Sequence, residues 1–349
     1  MNIDFVSNDQ EIYKRELNDF LPSKLFDAHV HLLNVENFTA NTNFPATHIL
    51  RKFGLEYTLE QHLAYMKKML PKQEIYLNSF GFPAAEAVPE EAAAYTGSIS
   101  DNNRYFGMTM VTPSESVASV SGRIIRHKLV GYKPYSCFVR SKDDSEITIM
   151  DMISSEHLEF ANENALAITL HIPRPGRLAD PVNQRQMVEL CHRYPDIAFI
   201  FAHIGRAYYL EAVTGQLEKV AACPNAYIDT AMVNHEGVLE YAFKVFPRDR
   251  ILFGSDAPIA MLRGKSVEIN NQYAYLTGED YQIGTSIYDR EHVLKFTFFY
   301  YEQLRAIIQA ARRAGLSSDE QENIFFGNAF RLFSSVAKKV KILKYKEMP

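Results

Sequence analysis

Tryptophan is absent from this chain, and cysteine is sparse: Cys137, Cys191 and Cys223 are the only three in 349 residues. Scattered thiols without ligand spacing exclude a disulfide framework and a cysteine metal site, and they fit a reducing compartment, so the expected location is cytoplasmic. No apolar run approaches the roughly 20 residues that span a bilayer. The opening stretch MNIDFVSNDQ is polar and acidic, unlike a secretory leader, so no membrane association is expected. Basic stripes are missing as well. The formal net charge is −5, which gives a nucleic acid no electrostatic footprint. Low-complexity tracts and internal boundaries are also lacking, and residues 1–349 are read as a single domain.

What is present is material for a large core, with 47% hydrophobic and 23% charged residues. Residues 1–24 read as a short helical extension that ends at Pro22. Eight apolar segments then alternate with helical patterns. They are Leu25–Leu33, Glu74–Phe82, Arg104–Pro113, Leu129–Tyr135, Ala165–Ile172, Ile197–Gly205, Ala226–Met232 and Arg250–Pro258. Continuous apolar strands separated by helices predict a parallel sheet covered on both faces. Eight such units predict an α/β fold, a (β/α)8 TIM barrel over about 25–314. Long loops are expected after the first strand (Asn34–Tyr57) and after the eighth (Arg263–Asp289). Helices over Glu291–Ala314 and Ser318–Val340 close the chain. The run Phe296–Tyr301 is read as a core helix face, with a homodimer interface as the alternative.

Barrel chemistry gathers at the C-terminal ends of the strands. His29 and His31 end the first strand, His171 the fifth, His203 the sixth and Asp256 the eighth. Alternate positions share a strand face, so Asp27, His29 and His31 are expected to point one way. Two imidazoles two residues apart can grip one ion, and a set of this size at strand ends predicts a shared metal site. Imidazoles with a carboxylate accept zinc, manganese or iron. His48, His62, His127, His157, His192 and His292 fall on helices or loops and are assigned no role.

The motifs DAHVH (Asp27–His31), LHIP (Leu170–Pro173), FAHIGR (Phe201–Arg206), FGSDAP (Phe253–Pro258) and NIFFGNAFRLF (Asn323–Phe333) follow in order along the chain. With them the chain resembles the amidohydrolase superfamily, in the amidohydrolase-related branch that includes aminocarboxymuconate-semialdehyde decarboxylase. The resemblance implies a barrel holding one divalent metal, usually zinc, on His29, His31, His171 and Asp256. His203 then matches the sixth-strand histidine that holds the metal's water or the substrate. In binuclear members a fourth-strand lysine is carboxylated and bridges two metals. For Lys133 a substrate-facing or salt-bridged role is preferred.

The groups themselves suggest a reaction. A metal makes water acidic and polarises a carbonyl, Asp256 serves as general base and then acid, and His203 steadies the developing negative oxygen. Asp27 is expected to orient a ligand histidine or backbone from behind. Arginine forks suit carboxylates, so Arg206 and Arg174, with Lys133 and Tyr135, are the expected contacts to a small acidic substrate. Pairing with acidic loop residues is the alternative for Arg174 and Arg177. The expected activity is metal-dependent hydrolysis of a C–O or C–N bond. Non-oxidative decarboxylation with the same metal set is the runner-up, disfavoured because decarboxylase relatives tend to carry a His-Pro-Trp run and this chain has no Trp. A barrel that only binds is the third reading.

Overall fold

The structure is a computed structural model that describes residues 5–40 and 42–346. Residues 1–4 of the expected extension, residue 41 of the first expected loop, and residues 347–349 lie outside the described residues. Among the described residues no helix is long and apolar enough to cross a membrane.

The first two strands, β1 (Lys24–His31) and β2 (Glu74–Phe80), pair in parallel, and β2 pairs with β3 (Tyr105–Gly107). A second parallel ladder runs through β4 (Thr109–Val111), β5 (Gly131–Pro134), β6 (Ala167–Leu170), β7 (Ala198–Phe201), β8 (Ala226–Asp229) and β9 (Ile251–Leu252). The third expected strand is therefore divided at Met108. Its first half pairs with β2 and its second with β5, which hands the sheet from one ladder to the next. Closure comes from the chain after β9. His31 N–H donates to Ala257 O at 2.7 Å, and Asp256 N–H donates to His29 O at 2.8 Å. The result is the expected (β/α)8 barrel.

Local departures from the expected elements fall where the site is built. The period-two reading of Asp27 fails, because β1 slips register between Asp27 and Val30. The Asp27 carboxylate instead accepts the N–H groups of His29 (3.1 Å) and Ser255 (2.8 Å), tying β1 to the chain beyond β9. The expected sixth strand stops at Phe201. His203, Ile204 and Gly205 then turn through left-handed backbone at φ +57°, +53° and +66°. Gly205 takes this conformation freely. For His203 it is sustained by Asp229, which accepts the His203 N–H at 2.7 Å.

Three longer expectations also change. The expected helix over 207–222 divides into Leu210–Val213 and Glu218–Ala221, with Gly215 left-handed between them. The closing helix starts at Phe299 rather than Glu291, and Phe298–Tyr301 are buried within the chain. The polar insertion is ordered: β10 (Gly264–Glu268) and β11 (Tyr273–Thr277) form an antiparallel hairpin, and β12 (Ser286–Tyr288) runs parallel to β11. Its turn holds Asn270 and Asn271 at positive φ, and Ile269 and Gln272 exchange backbone bonds. Asparagine tolerates that conformation, so the turn twists with the strands it joins.

The helix after β6, Pro181–Arg193, is started by Asp180, whose carboxylate accepts from Val182 N–H (2.8 Å) and Asn183 N–H (3.2 Å). Arg174 Nε donates to the same carboxylate at 2.9 Å. Burial pushes this carboxyl up, but the Arg174 bond and the two backbone donors outweigh it, so it sits below the usual value. Asp180→Ala is expected to lower stability by about 1–2 kcal/mol in a urea titration at neutral pH, the typical worth of a cap. A depressed carboxyl stabilises above its unfolded pKa and stops doing so as pH falls through its folded pKa. The gap between variant and parent should therefore close on acidification below about pH 4.

Candidate metal and catalytic site

At the barrel mouth a small cavity of about 190 Å³ is lined by His29, His31, His171, His203, Asp256 and Tyr135, with Phe82 and Cys137 at its wall. Larger clefts exist, such as one of about 460 Å³ beside Arg305. Among the described residues, only the side chains at the mouth converge as metal ligands would. They form two overlapping groups, His29–His31–Asp256 and His29–His203–Asp229, with ligand atoms within 4.8 Å of one another.

Three imidazoles are fixed by their Nδ1 atoms. His31 Nδ1 lies 2.9 Å from Gly81 O, and His203 Nδ1 lies 2.8 Å from Ala231 O. A carbonyl only accepts, so each Nδ1 carries a proton and each Nε2 is turned towards the cavity. His29 Nδ1 lies 2.9 Å from Asp229 Oδ2. Burial pushes the Asp229 carboxyl up, but His29 above all, with His203 and Lys133, holds it far below its usual range. An ionised Asp229 likewise fixes the proton on His29 Nδ1. Burial, then Lys133, pushes His29 down to about 3, so its ring is neutral.

The two Nε2 atoms of the β1 histidines face a carboxylate. Asp256 Oδ1 lies 3.3 Å from His29 Nε2 and 3.1 Å from His31 Nε2. Burial opposes ionisation of Asp256, but the His31 bond and the neighbouring His29 and His203 rings outweigh it and hold its carboxyl low. Imidazole nitrogens and one carboxylate oxygen that turn into the same buried cavity suit a divalent first-row ion. The donor set therefore fits a metal. Backbone strain falls here too. Asp256 at φ +71° and His203 at +57° are both left-handed, each at a cost on the order of 1–3 kcal/mol; the Asp256 N–H bond to His29 O and the Asp229 bond to His203 N–H hold them.

The other expected residues divide between the cavity and its rim. His171 lines the cavity, its ring 5.4 Å from that of His203, but it joins neither ligand group. Burial, then Arg206, pushes its pKa well down, which leaves a neutral ring. Lys133 is buried, its Nζ 3.3 Å from His29 Nε2 and 4.4 Å from the Phe80 ring centre; burial lowers it to about 7. Tyr135 lines the cavity with its hydroxyl buried and unpartnered. Arg206 sits at the rim, Nη1 donating to Ile172 O at 2.7 Å. Arg174 is taken up by Asp180 and lies outside the cavity lining. Asp229 is the residue that sequence reasoning missed. Its signal was a carboxylate closing the apolar strand AYID, at the strand end where the other site residues cluster.

Solved structures show the same fold. A 4-oxalomesaconate hydratase from Rhodopseudomonas palustris is 17% identical, covers 93% of this chain and all of its own, and superposes with a TM-score of 0.55. A 5-carboxyvanillate decarboxylase from Sphingomonas paucimobilis is 14% identical over 89% of this chain and 99% of its own, with a TM-score of 0.53. A dihydroxybenzoic acid decarboxylase from Polaromonas sp. JS666, solved with bound manganese and 2-nitroresorcinol, is 15% identical over 89% of this chain and 97% of its own, with a TM-score of 0.52. No curated protein matches the sequence. The amidohydrolase family profile matches residues 150–334, more than half of the chain, which takes in the strand ends carrying His171, His203, Asp229 and Asp256, and the chain belongs to that family.

Proposed function

We propose that this protein is a metal-dependent hydrolase that cleaves a C–O or C–N bond beside a carbonyl in a small, carboxylate-bearing substrate. The observation that carries the reading is the convergence of Asp256 Oδ1 on the Nε2 atoms of His29 and His31. His29, His31 and Asp256 would hold the ion, with His171 and His203 at its margin; zinc is the first choice, and manganese or iron suits the same donors. A divalent cation there supplies Lewis acidity, making a neighbouring water acidic near neutral pH and polarising a carbonyl oxygen.

The chain's own groups do the rest. Asp256 accepts the proton of the attacking water and returns it to the leaving oxygen or nitrogen. His203 accepts a hydrogen bond in its present tautomer, because Nδ1 is committed to Ala231 O. It becomes a donor to the developing negative oxygen only after taking up a proton. Tyr135 offers its unpartnered hydroxyl to the substrate, and the buried Lys133 stands beside His29 with its Nζ 3.3 Å from Nε2. Asp229 and Gly81 keep the imidazoles turned inward.

A second reading, non-oxidative decarboxylation, is supported by the decarboxylases among the structural relatives. Product analysis separates the two: a new acid paired with an alcohol or amine supports hydrolysis, whereas evolved carbon dioxide with proton uptake at carbon supports decarboxylation. Protein purified without chelators is expected to carry about one divalent ion per chain by plasma mass spectrometry. Removing it with dipicolinate should lower turnover of the best substrate in a lactone, amide and carboxylate panel by at least ~100-fold, and one equivalent of metal should restore it. A folded, active, metal-free protein would overturn the proposal.

A further inference from the structure

Away from the barrel mouth, the cleft beside Arg305 gathers side chains that the proposed chemistry leaves unused. It encloses about 460 Å³, and its lining carries five cations, Arg15, Lys265, Arg305, Arg312 and Arg313, against three carboxylates, Glu16, Glu236 and Glu302. A concavity of that size is ordinary for a small-molecule site. Its walls come from segments far apart in the chain. Arg15, Glu16 and Phe20 belong to the N-terminal extension, Lys265 to β10 of the ordered insertion, and Glu302, Arg305, Arg312 and Arg313 to the closing helix.

The carboxylates do not use up the cations. Glu302 is buried and shared: Lys265 Nζ donates to its Oε2 at 2.8 Å and Arg305 Nη1 to its Oε1 at 2.9 Å. Glu16 accepts from Arg305 Nε at 2.7 Å, and Glu236 lies 2.8 Å from Arg313 Nη2. That leaves Arg305 Nη2 and the remaining Lys265 donors without a partner among the described residues. Arg15 meets Glu11 at 3.9 Å with both side chains largely exposed, a contact worth little. Arg312 forms no ion pair among the described residues; its guanidinium carbon lies 4.0 Å from the centre of the half-exposed Phe20 ring. A guanidinium stacked on a ring keeps its in-plane N–H donors free, so Phe20 presents Arg312 to the cleft without spending it.

Free donors from three segments in one concave cleft suit an anion with several negative charges, whose oxygens accept from more than one cation at once. We infer that this cleft binds a small polyanion, a phosphate ester or a polycarboxylate, through Arg312, Arg305 and Lys265. Bound there, the anion links the N-terminal extension, the insertion and the closing helix. The inference is independent of the reaction at the barrel mouth, and it gives the extension a task as one wall of the cleft.

The test is titration calorimetry on the protein as purified, at a fixed physiological concentration of sodium chloride because salt screens exposed charges. Pyrophosphate and citrate are the probes, with acetate as the singly charged control. At least one polyanion is expected to bind ~10-fold or more tightly than acetate, and the tighter of the two identifies the phosphate or the carboxylate class. Arg312→Gln should weaken that polyanion by about 10-fold, the worth of one charge-assisted bond. Glu16→Gln should tighten it by roughly 3- to 10-fold, because Arg305 loses a competing carboxylate, and a gain of affinity cannot come from a variant that fails to fold. Polyanions that bind the parent no more tightly than acetate would overturn the inference. So would equal affinities in the parent, Arg312→Gln and Glu16→Gln, the pattern of an anion held by a metal ion at the barrel mouth instead.

Discussion

Asp256→Asn is expected to lower kcat by at least ~10³-fold on the best substrate, the scale of losing a positioned general base together with its charge. The substitution keeps the shape of the side chain but removes its capacity to take up a proton. It also removes the negative charge that faces His29 Nε2 and His31 Nε2 at 3.3 and 3.1 Å. Asparagine can turn its amide towards one of those lone pairs and its oxygen away, so the variant should fold; backbone bonds from Asp256 N–H to His29 O and from His31 N–H to Ala257 O remain. Circular dichroism and metal content should be measured on the same sample as turnover. Loss of turnover with metal retained assigns Asp256 mainly to proton transfer, and joint loss assigns it to holding the ion. Full turnover in a folded, metal-loaded variant would remove Asp256 from the mechanism.

Asp229 should show the next largest effect, and its two variants should differ in kind. The carboxylate accepts three bonds inside the barrel: His29 Nδ1–H at 2.9 Å, His203 N–H at 2.7 Å and Ala231 N–H at 3.1 Å. Asp229→Ala leaves these donors buried and unpaired, at about 1–3 kcal/mol for each that finds no new partner. A loss of about 3 kcal/mol or more is expected in the urea midpoint analysis, along with loss of the left-handed turn at His203. Asp229→Asn keeps one oxygen for the backbone donors. Its NH2 then meets His29 Nδ1, which shifts the imidazole proton to Nε2 and removes one lone pair from the cavity. The expected result is a folded protein whose metal affinity, measured by chelator competition, falls roughly 10- to 100-fold. Unchanged affinity in Asp229→Asn would mean that the tautomer of His29 is set elsewhere.

The contrast between these two carboxylates shows where sequence reasoning reached. Asp256 stands in FGSDAP at the end of an apolar strand, with histidines at three other strand ends, and such spacing is readable because a barrel gathers strand ends at one mouth. Asp229 stands in AYIDT with no companion motif, and its importance exists only through contacts 200 and 26 residues away, to His29 and His203. Arg174 resembled a substrate contact beside His171, yet its guanidinium caps the next helix through Asp180, a pairing decided by where that helix starts. Arg177 had the same standing in the sequence, yet it came to rest on Tyr208 and Tyr273.

By itself the sequence determined the barrel, because eight buried strands separated by helices leave few ways to cover both faces of a sheet, and it determined the imidazoles and carboxylate at the strand ends. Tertiary structure decided the rest. The β1 register slip turned Asp27 from the cavity to the backbone, and carbonyls from distant loops chose which nitrogen of His31 and His203 faces inward. Folding of the polar insertion into a hairpin carried Tyr273 to Arg177. Each of these depends on contacts between segments far apart in the chain, which local periodicity does not encode.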